Sequence, residues 1–91
     1  MDKGVKEKEI NELYELFVSI KNVEDCKDLL EDLCTYKEVE QMAERIRAAK
    51  LLMQGKTYQE VISQTNISSA TLSRISRCVQ YGKGYSKLLK K

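Results

Sequence analysis

Apolar positions recur at helical spacing along almost the whole chain. In residues 8–21, Ile10, Leu13, Tyr14, Phe17 and Ile20 fall on one face, because residues three and four apart are neighbours on a helix. Asn22 can cap a second helix over about 23–34, with Asp25 three residues on. That helix carries Val23, Cys26, Leu29, Leu30, Leu33 and Cys34. Thr35 and Glu38 in "TYKE" form a capping-box pattern for a third helix, about 36–54, which stops at Gly55. This third helix is apolar on two sides. Val39, Met42, Ala43, Ile46, Ala49 and Met53 make one stripe, and Ala48, Leu51 and Leu52 make a partial second. A helix clad on two sides calls for packing on two sides.

The next stretch, "TYQEVISQTNISSATLSRISR", predicts two shorter helices. Thr57 and Glu60 repeat the capping-box pattern ahead of a helix over about 58–64. Asn66 stands where that helix must turn, and asparagine tolerates the left-handed conformation better than most residues. Ser68 offers the cap of a fifth helix over about 69–80. Two capped helices joined by about four residues make the outline of a helix-turn-helix. Val61, Ile67, Leu72 and Ile75, with Ile62, are the expected apolar set between them. Ser68, Ser69, Ala70, Thr71, Ser73 and Arg77 leave the second helix a small, polar outer side, which is what a helix needs to enter a DNA major groove. "YGKG" ends the pattern, and residues 81–91 read as a basic tail or a short helix.

Composition agrees with an all-α helical bundle. Pro is absent, Gly occurs 4 times, and 42% of residues are apolar in a chain of 91, a length that gives one domain with a thin core. No apolar run reaches a membrane-spanning length and the N-terminus has no signal core, so a cytoplasmic location is expected. The net charge of +2 conceals a polarity. Residues 1–34 hold five basic and ten acidic groups, a net of −5, whereas residues 56–91 hold seven and one, a net of +6. After Glu60 there is no acid. A basic end on a near-neutral chain suits a polyanionic partner such as double-stranded DNA. Cys26, Cys34 and Cys78 form no CxxC pair and there is no His, so the cysteines read as reduced structural thiols and no metal site is expected. No phosphate loop, nucleophile elbow or base for a cysteine is present, so no enzyme is expected.

The segments "LCTYKE", "ERIRAAKLLMQG" and "SATLSR" carry a resemblance to the Trp repressor family of bacterial regulators, and most of all to its YerC/YecD group. The resemblance covers about residues 10 to 80. It implies an intertwined all-α homodimer, with helices over about 8–54 forming the dimer and a helix-turn-helix over about 57–80 forming each DNA-reading head. Ser69, Ala70, Thr71 and Ser73 match family positions that face bases or phosphates, and Gln59 matches a contact in the preceding helix. The implied function is a sequence-specific DNA-binding transcriptional regulator, most simply a repressor. The alternative is an interaction module, or an adaptor resembling a sigma-factor region, that uses the same fold on a protein partner.

The resemblance also suggests an effector pocket. Arg45 and Arg74 match the two arginines that hold the co-repressor, and Thr35 matches a pocket-edge threonine. Ile75, however, stands where the tryptophan binders have Gly, and Cys78 replaces a serine. No cofactor is therefore expected, and tryptophan is disfavoured. On that reading the two arginines pair with acids such as Glu38 or Glu44.

Overall fold

A computed structural model describes residues 3–89. Among them are six α-helices and no strand: α1 (Lys3–Val18), α2 (Val23–Leu33), α3 (Tyr36–Met53), α4 (Tyr58–Gln64), α5 (Ser69–Tyr81) and α6 (Gly84–Leu88). The chain divides into two compact units, one up to Thr35 and one from Tyr36 onward.

The first unit holds α1 and α2. The α1 helix starts earlier than its apolar pattern, at Lys3, because Lys and Glu extend a helix without needing a buried face. It ends at Val18 rather than at 21. The Ser19 hydroxyl donates to the Leu16 carbonyl at 2.6 Å and its N–H to the Glu15 carbonyl at 3.1 Å, which closes the last turn. Asn22 caps α2 as expected: its Oδ1 accepts the Asp25 N–H at 2.8 Å and its Nδ2 donates to Asp25 Oδ2 at 3.2 Å. Ile10, Leu13, Tyr14, Phe17, Val23 and Leu33 are all exposed. Among the described residues, none before Ala48 is buried.

The second unit contains the core. Ala48, Ala49, Val61, Leu72 and Ile75 are buried, with Leu51, Leu52, Ile67, Val79, Tyr85 and Leu89 half-buried against them. Here α3 packs on α5 and α4, α4 packs on α5, and α6 packs on α5. The two alanine methyls let α5 lie close to α3. The partial stripe of α3, joined by Ala49 from the longer one, thus faces its own helix-turn-helix. Met42 and Ile46, on the longer stripe, stay exposed.

Glycine terminates α3 for a specific reason. Gly55 has φ +89, its N–H donates to the Leu52 carbonyl at 3.0 Å, and the Lys56 N–H reaches the Leu51 carbonyl at 3.1 Å. This crossed pair is the Schellman closure, which needs a residue in the left-handed region. At the far end of α5, a Cβ on Gly82 would sit 2.6 Å from the Cys78 carbonyl oxygen, so only glycine lets the chain pass that close on its way into α6. The expected short helix in the C-terminal tail is α6, and residues 90–91 lie outside the described region.

Two further details differ from the sequence reading. Ile62, expected in the helix-turn-helix core, is 40% exposed: it follows the buried Val61 directly, and one residue is a 100° step round the helix. Asn66 does not adopt the left-handed conformation, since no non-glycine residue among those described has positive φ.

Candidate nucleic-acid interface

Both helices of the pair begin on a side-chain cap. At α4, the Thr57 N–H donates to Glu60 Oε1 at 2.8 Å and the Glu60 N–H donates to Thr57 Oγ1 at 3.2 Å. The box satisfies two N–H groups that the helix itself leaves without acceptors. Hydrogen bonding from Thr57, its backbone N–H first and its side chain second, holds the Glu60 pKa below its ordinary value, with a smaller contribution from the nearby Lys56 charge. A folded-state pKa below the unfolded one adds stability above the unfolded value, and that stability is lost as pH falls through the folded value. Glu60→Gln is therefore expected to be slightly less stable than the wild type at neutral pH. The difference should close as pH drops below the ordinary carboxylate range, as read by urea melts across pH. A difference independent of pH would mean that the charge of Glu60 does not serve the cap.

At α5, Ser68 Oγ accepts the Thr71 N–H at 3.2 Å and donates to Thr71 Oγ1 at 3.1 Å. The first turn of α5 has no acid, so its partly positive N-terminal end is uncompensated by any carboxylate within the helix. The helix divides cleanly around its axis. Leu72, Ile75 and Ser76 are buried, with Ser76 Oγ accepting a bond from Gln80 Nε2 at 3.3 Å. Ser69, Ala70, Ser73, Arg74 and Arg77 are exposed, and Thr71 is half-buried between the two sides. Of the residues the sequence singled out for DNA, Ser68, Ser69, Ala70, Thr71, Ser73 and Arg77 thus lie along one helix and its cap. Gln59 is exposed in the first turn of α4.

Beside the N-terminus of α5 lies an open groove of about 620 Å³, bounded by one side of α3 and by the turn before α5. Gln41, Glu44, Arg45, Asn66, Ser68 and Thr71 are among its walls. Of the suggested effector residues, Arg45 therefore lines this groove. Arg74 is exposed on α5 and is not part of the lining. Thr35 directly precedes α3 in the first unit. Ile75 is 3% exposed and belongs to the core. The Glu44 carboxylate accepts the backbone N–H of Asn66 at 3.4 Å. Sequence reasoning missed this role, although the polar side of α3 that carries Glu44 (Lys37, Glu40, Gln41, Glu44) recurs at helical spacing and stands out from its two apolar stripes.

Among the described residues no cluster of His, Cys, Asp or Glu could hold a metal ion, and no helix is long and apolar enough to cross a membrane. Cys26, Cys34 and Cys78 are free thiols, each half-buried.

An all-α chain whose two capped helices meet across a small apolar core, with an acid-free outer face of small residues and arginines on the second, is a helix-turn-helix protein. A family profile described as Trp repressor protein matches residues 8–91, and the chain belongs to that family. It is 39% identical over 75 residues to the uncharacterised protein YerC of Bacillus subtilis (strain 168), a match covering 82% of this chain and 72% of the other. Its fold is similar to the crystal structure of a TrpR-like protein from Eubacterium eligens ATCC 27750, at a TM-score of 0.85 and 30% identity, over 97% of this chain and 92% of that one.

Proposed function

We propose that the protein is a transcriptional regulator, a repressor in its simplest mode, that reads double-stranded DNA as a homodimer in the cytoplasm. The observation that carries this reading is the divided surface of α5. Its inner side is committed to Leu72 and Ile75, and its outer side is free of acids and of bulky apolar groups. Side chains of that size allow a helix backbone to approach base edges, and Arg77 adds a positive charge for the phosphates. Two such heads related by a two-fold axis read a palindrome with half-sites about one helical turn, ~34 Å, apart. The test is selection of genomic fragments by the purified protein, followed by sequencing and titration across salt. A palindromic consensus and an affinity that falls steeply with salt are expected. An interaction module would yield neither.

The same reading makes free L-tryptophan a poor effector. The position at which tryptophan-binding relatives have Gly is held here by Ile75, whose side chain is embedded among Ala48, Ala49, Val61 and Leu72. Making room for an indole there would disturb a filled site, at a cost of about 1–3 kcal/mol. Each ~1.4 kcal/mol is tenfold in affinity. The thiol of Cys78 is also a weaker hydrogen-bonding partner than a serine hydroxyl. Calorimetric titration with tryptophan is expected to give no saturable heat. Micromolar binding coupled to tighter DNA binding would contradict this account of Ile75.

A further inference from the structure

We propose that Glu44 is a positioning residue for DNA reading: its carboxylate, carried on α3, holds the turn between α4 and α5 and so sets the angle at which α5 meets DNA. The proposal rests on the DNA-reading role given above. It starts from the way α4 ends. A helix that curls into the left-handed region returns its next N–H groups to its own last carbonyls, as α3 does at Gly55. The α4 helix leaves differently. Thr65 is extended, with φ −134 and ψ 169, and its hydroxyl donates to the Val61 carbonyl at 2.8 Å. An extended exit carries the Asn66 N–H away from the carbonyls of α4, which leaves that exposed group to water or to an acceptor from elsewhere in the chain.

Glu44 supplies it. Oε2 lies 3.4 Å from the Asn66 nitrogen, across 22 residues of sequence. The distance is at the long end of the range, so this is a light restraint, and its position gives it leverage. Ile67, the next residue, is half-buried against the core, and Ser68, the one after, is the N-cap of α5. A restraint at Asn66 therefore acts two residues from the N-cap of the helix that reads. Glu44 is half-buried and Asn66 is exposed, so the contact sits at the edge of solvent.

Simple electrostatics assigns Glu44 the opposite effect. A carboxylate beside a DNA-facing helix end repels phosphates, and its removal should tighten binding. Removing a restraint on the turn should weaken binding. The sign of the change therefore separates the two.

The experiment compares full-length wild type, Glu44→Ala and Glu44→Gln. Amide exchange at Asn66 is followed without DNA, and affinity for the selected genomic fragment is measured over a range of salt. Glu44→Ala is expected to speed Asn66 exchange and weaken specific binding, each by roughly threefold, with helix content and salt slope unchanged. Glu44→Gln keeps an acceptor oxygen and is expected to retain slow exchange and near-wild-type binding. Binding by Glu44→Ala that is unchanged or tighter would overturn the proposal, as would a Gln variant that behaves like Ala. The exchange arm involves no DNA. If the wild type selects no fragment, DNA reading falls and the positioning role falls with it, while Asn66 exchange still reports whether Glu44 holds the turn.

Discussion

Thr71→Glu is expected to abolish specific DNA binding while leaving the protein folded. Thr71 is the third residue of α5, at the margin between its buried and exposed sides. Glutamate there places a negative charge and a longer side chain at the end of an acid-free helix, against the groove that the helix is proposed to enter. Like charges brought together in an interface cost several kcal/mol, enough to erase a specificity ratio on the order of 10³. The fold is protected for a reason visible in the sequence. Ser68 is the N-cap of α5, so residue 71 is its N3 position, and a Ser at N-cap with Glu at N3 is a capping box. The substitution thus gives α5 the arrangement that Thr57 and Glu60 already make at α4. Fluorescence anisotropy with the selected fragment, beside circular dichroism, measures both halves. If the variant is folded and binds the fragment as well as wild type does, α5 is not the reading helix.

The second large effect is expected on dilution. No described residue before Ala48 is buried, and the apolar faces of α1 and α3 lie open, with Leu13 at 40%, Phe17 at 44% and Ile46 at 42% exposed. Apolar surface removed from water is worth about 25 cal/mol per Å², and in the proposed dimer a partner chain covers these faces. The melting temperature should then rise with protein concentration, because association stabilises by mass action. Sedimentation should give twice the 10.5 kDa chain mass. A melting temperature independent of concentration, together with a mass of one chain, would contradict the dimer.

The features legible in the sequence were those set by near neighbours. Caps at Asn22, Thr57 and Ser68, the stop at Gly55 and the bounds of α2 to α5 each depend on residues within about four positions, and they stand within a residue or so of where the pattern puts them. The start of α1 was illegible because Lys and Glu prolong a helix without marking a face. Ile62 was misplaced because an apolar residue next to a buried one looks equally eligible until the helix axis is oriented. The intrinsic preference of Asn66 points to a left-handed turn, whereas Thr65 and Glu44 together make the turn in another way. The partner of Glu44 could not be foreseen, since it lies 22 residues away and short-range patterns carry no trace of such a contact. Of the candidate site, the outer face of α5 followed from helical spacing. The groove beside it, formed by α3 and the turn, required the packing of the two.

The division of α5 also bears on how such a protein changes over generations. Leu72 and Ile75 are locked into the core, and the alanines at 48 and 49 leave no slack for anything larger. Ser69, Ala70, Ser73 and Arg77 support nothing in that core. Mutations on that outer side are therefore close to neutral for folding and free to be sampled one at a time. If α5 reads DNA as proposed, descendants of one ancestral gene can drift to new target sequences without passing through an unfolded intermediate. In that case the scaffold is inherited nearly unaltered, and the address is the part left open to selection.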